Sequence, residues 1–431
     1  MLLAVLSLLA APVLTRGPLL VGVTADSAWV VWETSDKQAN ATVKFGSETG
    51  VYTGSAQDSS YSTDHHVQLT GLLPGATYHY AIDSDPQKQD SSFTTPPAGP
   101  TVVPIKFVVY GDNRTNTADH QKIADAIRGE SGVQFLVHTG DMAQNYPFSQ
   151  EWDTFFTVEH ELLRNTPLFP TVGNHETLDS LFTWGQYFSP PRFDPGGSVR
   201  YYGADWGQLH FTVLDTFDKT GPSIDPKTDT ISDAQMEWMK ADLDAAHARG
   251  QLIFVSLHHG AVSHAVGPDA QGGSALIAGQ VVPELAYRHA VAMFAGHDHI
   301  YERGCTAGVD YFVAGGGGAP LYPVADGGVP PSVHQLRSTL AYTVITVTGR
   351  NVTGVTRNSR SEVIEEFSLP SPGCQFDGGM PDPAPDGGAD AGGSTSVTTT
   401  PGARSCGSAG AATLICLVPF ALLVRRRRLT S

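Results

Sequence analysis

Five apolar runs in this chain stop at residues of metal-ligand type. "IKFVVYGD" ends in Asp112, "VQFLVHTGD" in Asp141, "PLFPTVGNHE" in Asn174, His175 and Glu176, "QLIFVSLHH" in His258 and His259, and "AVAMFAGHDH" in His297 and His299. Short apolar runs bounded by Gly and rich in β-branched and aromatic residues read as buried strands. "ADHQKIADAIRG" and "SDAQMEWMKADLDAAHARG" have helical spacing, the second capped by Ser232 or Asp233 and closed by Gly250. Strands alternating with helices make an α/β domain, and open α/β sheets build their sites along the carboxyl edge. A lone Asp112 would be a turn or helix-cap residue, and a lone His258 a satisfied core histidine. Five strand ends together, using Asp, Asn and His, point to a metal centre. Two aspartates, one asparagine and three histidines are too many for one tetrahedral ion with an open position. They suit two ions about 3.5–4 Å apart that share a carboxylate. Mixed oxygen and imidazole ligands accept Fe, Zn or Mn and leave the choice open.

The order GD, GD, "GNHE" (173–176), "VSLH" (255–258) and "GHDHIYER" (296–303) resembles the calcineurin-type metallophosphoesterases, and within them the purple acid phosphatases. The resemblance runs from about 17 to 370 and implies a four-layer domain with two sheets between helices. It implies that Asp141 bridges two metals, that Asp112 and His299 bind the first, and that Asn174, His258 and His297 bind the second. His175 would contact the phosphate and act as general acid towards the leaving alkoxide, with metal-bound hydroxide as the nucleophile. Glu176 is expected to orient a ligand or His175. The implied activity is hydrolysis of small phosphate monoesters. A phosphodiesterase acting on nucleotides or lipid head groups, and a surface binding protein with a vestigial metal site, are the alternatives.

The pattern departs from that family at the first metal. Purple acid phosphatases carry GDxxY, but here Gln144 stands at the tyrosine position and Tyr146 follows two residues later. Other members place a histidine two residues after the first aspartate, where this chain has Arg114. Tyr146, Gln144, Asn113 or water would complete that shell, or the site is weaker. Arg114 reads as a phosphate clamp, since a guanidinium beside metals pairs with phosphate oxygens. His259 reads as lining the mouth, with a place as an additional ligand or behind one as the alternative. Arg303 divides between buttressing the site and facing solvent, and His138 and His210 fall inside strand patterns as structural residues. "AGGGGAP" (314–320) would let backbone pass close to the site.

Residues 17–98 read as a separate all-β sandwich, similar to the fibronectin type III-like module of purple acid phosphatases. "SAWVVWET" alternates Val30, Trp32 and Thr34 against Trp29, Val31 and Glu33. In "LLPGATYHYAI" a tyrosine follows a Pro-Gly turn and can return its hydroxyl to the backbone. His65 and His66 read as exposed strand residues. The catalytic domain is expected over 104–370.

The flanks read differently. Residues 1–16 resemble a signal-peptide core without a basic start. Residues 371–405 are a Gly/Pro/Asp/Thr-rich tether that cannot pack a core. Residues 406–431 join Cys406, an apolar stretch and Arg425–Arg428, a layout similar to the sorting tail of myxobacterial surface proteins. Export is therefore expected, either secreted or held at the cell surface through the tail. Cys305 and Cys374 can pair in an oxidising compartment. The formal charge of −17 argues against nucleic-acid binding, and an acidic chain acting on an anionic substrate needs metal ions as its local positive charge.

Overall fold

The computed structural model of the chain describes residues 12–85, 87, 89–144, 149–179, 182–188, 198–218 and 228–374. Residues 375–405 of the expected tether, the sorting tail and Tyr146 lie outside them, as do residues 1–11, whereas 371–374, assigned above to the tether, belong to the folded domain.

The N-terminal sandwich holds β1 (Leu14–Val21), β2 (Ser27–Gln38), β3 (Ala41–Gly46), β4 (Gly54–Asp58), β5 (Ser62–Thr70), β6 (Thr77–Ile82) and β7 (Ser91–Thr94). One sheet runs β1-β2-β5 and the other β4-β3-β6-β7, with every pair antiparallel. Val30, Trp32 and Thr34 of β2 are buried, as the alternation requires. The Tyr78 hydroxyl accepts from the Leu73 N–H at 2.9 Å and pins the turn before its own strand. Two expectations need correction. β1 begins at Leu14, so the folded domain includes residues assigned above to the export segment. His65 is fully buried, not exposed: it lies against Trp32, with ring centroids 5.1 Å apart, and bonds Thr34 Oγ1 at 2.8 Å. His66 reaches the Gln186 carbonyl at 2.8 Å across the domain boundary.

The second domain starts with β8 (Ile105–Tyr110), α1 (Thr117–Arg128), β9 (Phe135–His138), α2 (Ser149–Leu163), β10 (Leu168–Pro170) and α3 (Phe182–Phe188). It continues with β11 (Tyr202–Trp206), β12 (Leu209–Val213), α4 (Asp233–Ala248), β13 (Leu252–Ser256), α5 (Val282–Tyr287) and β14 (Ala292–Ala295). The last strands are β15 (Tyr301–Thr306), β16 (Val309–Ala314), β17 (Val333–Arg337), β18 (Ala341–Thr348), β19 (Asn351–Asn358) and β20 (Val363–Leu369). A six-stranded sheet runs β10-β9-β8-β18-β19-β20 and a seven-stranded sheet β11-β12-β13-β14-β16-β15-β17. Within them β8, β9 and β10 are mutually parallel, and so are β12, β13, β14 and β16.

The sheets stack face to face, and strand alternation divides their residues between layers. Ile105, Phe107 and Val109 of β8 join Phe254, Phe294 and Phe312 between the sheets. Val108 and Tyr110 turn outward to Ile123 of α1 and Phe155 of α2. On the other sheet Phe254 points inward, while Ile253 and Val255 meet Met239 and Leu243 of α4. Strands covered on both faces must be apolar throughout, which is why these runs lack alternation in the sequence. Asn116 caps α1 and Ser232 caps α4, each side chain accepting a backbone N–H three residues on.

The two domains share a packed interface. Leu19, Val21 and Val31 of the sandwich sit in one cluster with Trp152, Tyr187 and Phe188. Arg16 donates to Asp153 Oδ1 at 2.6 Å, to Glu33 Oε2 at 3.1 Å and to the Tyr187 hydroxyl. The Tyr80 hydroxyl donates to the Arg164 carbonyl at 2.7 Å, and the buried Arg164 guanidinium reaches back to Ser91 Oγ at 2.8 Å. A disulfide joins Cys305 in β15 to Cys374, 69 residues later, and fastens the end of the domain to its sheet.

Candidate metal centre

The strand ends meet on one edge, as parallel sheets require. Asp112 follows β8, Asp141 follows β9, Asn174 follows β10, His258 follows β13, and His297 and His299 follow β14. Asp112, Asp141 and His297 adopt positive φ of 57°, 59° and 68°. Such angles are uncommon for residues with a Cβ and cluster where surrounding structure over-determines them. The glycines before the ligands have a steric reason. A Cβ on Gly173 would lie 2.2 Å from Asp141 Oδ1, and one on Gly296 would lie 2.3 Å from Asp112 Oδ2. Each strand end is thus packed against a ligand from another.

Four donor atoms converge on one side. Asn174 Oδ1 lies 3.1 Å from His258 Nε2 and 3.0 Å from His297 Nδ1. His258 Nε2 lies 3.3 Å from His297 Nδ1 and 3.4 Å from Asp141 Oδ1. Ligands about 2.1 Å from a tetrahedral ion stand roughly 3.4 Å apart, so this spacing fits a cation. The His258 Nδ1 proton goes to the Thr139 carbonyl at 2.7 Å, which leaves the Nε2 lone pair facing the cluster. Burial lowers the pKa of His258, holds His297 well below its ordinary value and brings His259 to about 3. Neutral imidazoles are the form that binds metal.

The other side is built differently. Asp112 accepts the His297 N–H at 3.0 Å, and His299 Nε2 lies 3.7 Å from Asp112 Oδ1. His299 donates Nδ1–H to the Pro320 carbonyl at 2.7 Å, so its lone pair also faces inward. Arg114 enters between them, with Nε donating to Asp141 Oδ2 at 3.0 Å and Nη2 to His299 Nε2 at 3.2 Å. Its Nη1 donates to Gln144 Oε1. Burial and the neighbouring Asp141 push Asp112 well above the carboxylate range. Burial also raises Asp141, but His258, His175 and Arg114 outweigh it and hold that carboxyl well below its usual value. Burial opposes charge on Arg114, yet Asp141 and Asp112 prevail and the net shift is upward. Burial and then Arg114 bring His299 to about 4. Two buried carboxylates beside neutral imidazoles form a site for positive charge.

The surrounding residues divide. His175 donates its backbone N–H to Asp141 Oδ1 at 3.1 Å, and its Nδ1 meets the Gln144 carbonyl. Its Nε2 lies 3.8 Å from Asp141 Oδ2, outside the four-donor group. Glu176 accepts the N–H groups of Asp141 at 2.9 Å, Gly173 at 2.8 Å and Met142 at 2.8 Å, and so clamps two ligand loops together. Asn113 turns away from the cluster to His120 Nε2 at 2.7 Å, and Gln144 engages Arg114 and Thr115. Arg303 bonds Glu365 and Ser371 and packs on Phe367, and is not brought to the cluster. His259 does not line the mouth but is buried: its ring centroid is 4.2 Å from that of His297, its Nδ1 meets Asp229, and its ligand atom lies within 4.8 Å of those of His258 and His297, which keeps it among the possible ligands. The second histidine of "LHH" was the signal for it. The glycine run passes close, as expected: the Gly317 N–H reaches the Gly111 carbonyl and the Ala319 N–H the Asp112 carbonyl, both at 2.8 Å. His138 and His210 are strand residues of β9 and β12. A cavity of about 960 Å³ lies elsewhere, between the sandwich and α4.

The domains and their fold resemble those of known proteins. The calcineurin-like phosphoesterase family matches residues 105–301, and the N-terminal domain of purple acid phosphatases matches 18–95. A probable purple acid phosphatase of Arabidopsis thaliana is 25% identical over 324 residues, covering 70% of this chain and 71% of that protein. The structure of a purple acid phosphatase from yellow lupin seeds superposes with a TM-score of 0.64 at 16% identity, covering 83% of this chain and 74% of the other. PhoD superposes at 0.61 with 13% identity, covering 84% and 90%. A dinuclear centre is typical of this class, and the Asp and His residues that could hold metal are gathered here. The chain is therefore a hydrolase that joins an N-terminal domain of purple acid phosphatase type to a calcineurin-like metallophosphoesterase domain.

Proposed function

We propose that this chain hydrolyses small phosphate monoesters in an exported, metal-dependent form. The observation that carries the reading is the convergence of Asp141, Asn174, His258 and His297 donor atoms beside Arg114 and His175. Asn174, His258, His297 and Asp141 would hold one ion, and Asp112 and His299 with Asp141 border the place of a second, as Fe, Zn or Mn. Such ions, when bound, neutralise phosphoryl charge and acidify water.

The protein's own residues do the rest. Arg114, held on Asp141 and His299, adds positive charge that phosphate oxygens can meet. His175 places Nδ1 on the Gln144 carbonyl, so Nε2 is the nitrogen that delivers a proton to the leaving oxygen. Glu176 keeps the Asp141 and Gly173 loops in register. The Cys305–Cys374 disulfide supports export, because such bonds persist in oxidising compartments. Secretion or tail-mediated anchoring remains part of the proposal. Among the described residues no helix is long and apolar enough to cross a membrane.

Metal analysis with parallel assays on p-nitrophenyl phosphate and bis-p-nitrophenyl phosphate tests the reading. Hydrolysis of the monoester with loss on chelation is expected. Preference for the diester would make the chain a phosphodiesterase, and no hydrolysis of either by metal-loaded protein would reject enzymatic function.

A further inference from the structure

We propose that the Arg114 guanidinium takes the place of one metal ion, so that the centre holds a single tightly bound ion among Asp141, Asn174, His258 and His297. The inference rests on the metallophosphoesterase reading above and concerns how many ions this chain keeps.

Donor atoms on the two sides are engaged differently. On the Asn174 side, four donors face one another at 3.0–3.4 Å with no protein cation among them. On the Asp112 side, two of the atoms that would receive an ion already receive Arg114, while Asp112 accepts the His297 N–H. Asp141 Oδ2 takes the Nε–H at 3.0 Å. His299 has one lone pair, because its Nδ1 carries a proton donated to Pro320, and that lone pair takes the Nη2–H at 3.2 Å. Gln144, at the position where a relative would supply a tyrosine, gives its Oε1 to Nη1. Nη1 also reaches Thr115 Oγ1 at 3.3 Å, so the planar fork meets four acceptors. The Arg114 side chain is 12% exposed, so this is a lodged group and not a surface arginine.

The backbone accounts for the placement. Positive φ at Asp112 (57°) and Thr115 (75°) bends the chain on either side of Arg114, between β8 and the Asn116 cap of α1. Electrostatics favours the same outcome. A guanidinium with one divalent ion more than neutralises the Asp112 and Asp141 carboxyls even when both are ionised, leaving an excess for a phosphate. A second divalent ion would have to enter against the guanidinium at close range, where like charges repel strongly.

The test is metal counting. Wild type, Arg114→Ala, Arg114→Met and Asn174→Ala are loaded with excess Zn²⁺ or Mn²⁺, dialysed against metal-free buffer, and measured by plasma mass spectrometry per chain. The expected result is one ion in wild type, two in both Arg114 variants and none in Asn174→Ala. Thermal melting confirms folding, and Arg114→Met keeps the aliphatic stem should Arg114→Ala fail to fold. Two ions in wild type, one ion surviving in Asn174→Ala, or no gain in either folded Arg114 variant would overturn the inference. Phosphatase activity on the same samples is read separately. A wild type that keeps one ion but hydrolyses no ester would reject the enzymatic reading while leaving the count standing, whereas a wild type that keeps none overturns both.

Discussion

The two sides of the cluster share Asp141 but solve the burial of polar groups in different ways. On the Asn174 side the donors are neutral apart from that carboxylate and are left facing one another. On the Asp112 side the shared Asp141 and His299 already receive an arginine from the same loop. The difference teaches that a ligand-like set of residues is not yet a metal site, because what stands between the donors decides the matter. A guanidinium brings charge without vacant coordination positions, whereas facing lone pairs demand an external cation.

Asp141→Asn should abolish the difference altogether, since it removes the shared charge. Metal content and phosphatase activity are both expected to fall to background. His297→Ala against His299→Ala draws the sharpest contrast between the sides. The first should lose its ion and its activity. The second should keep its ion and lose roughly 10–100-fold in kcat/KM, as for a partner that only orients a working group. Equal metal loss in the two would erase the asymmetry. His175→Asn should lower kcat by roughly 10²–10⁴-fold with metal content unchanged, and more for alkyl phosphates than for p-nitrophenyl phosphate, whose leaving group needs no proton. Glu176→Gln puts an amide NH₂ against backbone N–H donors on both sides, so metal affinity should drop roughly 10–100-fold by titration.

The smallest effect belongs to a site outside both sides. Burial would lower the pKa of His210, but bonds to Asp205 and Asp242 outweigh it and raise the ring to about 9. A folded-state value above the unfolded one near 6.5 stabilises fully below about pH 6.5 and loses that contribution as pH rises through about 9. The term is about 3 kcal/mol before screening around the half-exposed Asp205 reduces it. Thermal melts of His210→Asn should therefore fall less steeply between pH 6.5 and 9 than wild type. Parallel slopes would place the pH dependence elsewhere.

The strand ends were legible because a buried strand and the polar residue that stops it are neighbours in sequence. Asp112, Asp141, Asn174, His258, His297 and His299 all come to the edge where the runs placed them. What escaped depends on loops meeting in space. Asn113 and Arg114 are consecutive, yet one turns to His120 and the other to Asp141 and His299, and the positive φ of Asp112 that sets the course of both leaves no mark in composition. His259 goes inward because Asp229, from a distant loop, receives its Nδ1. Likewise the apolar opening of the chain masks the start of β1, since a strand that packs against another domain on one face and its own core on the other is as continuously oily as an export segment.

That shared packing bears on inheritance. Leu19, Val21 and Val31 belong to a cluster completed by Trp152, Tyr187 and Phe188, and Arg16 stitches its edge. A recombination that exchanged the sandwich for another would strip a face from the catalytic core and strand a row of aromatic rings in water. Such lineages should pass the two domains on together, with compensating changes on both sides of the seam, whatever ester the enzyme comes to prefer.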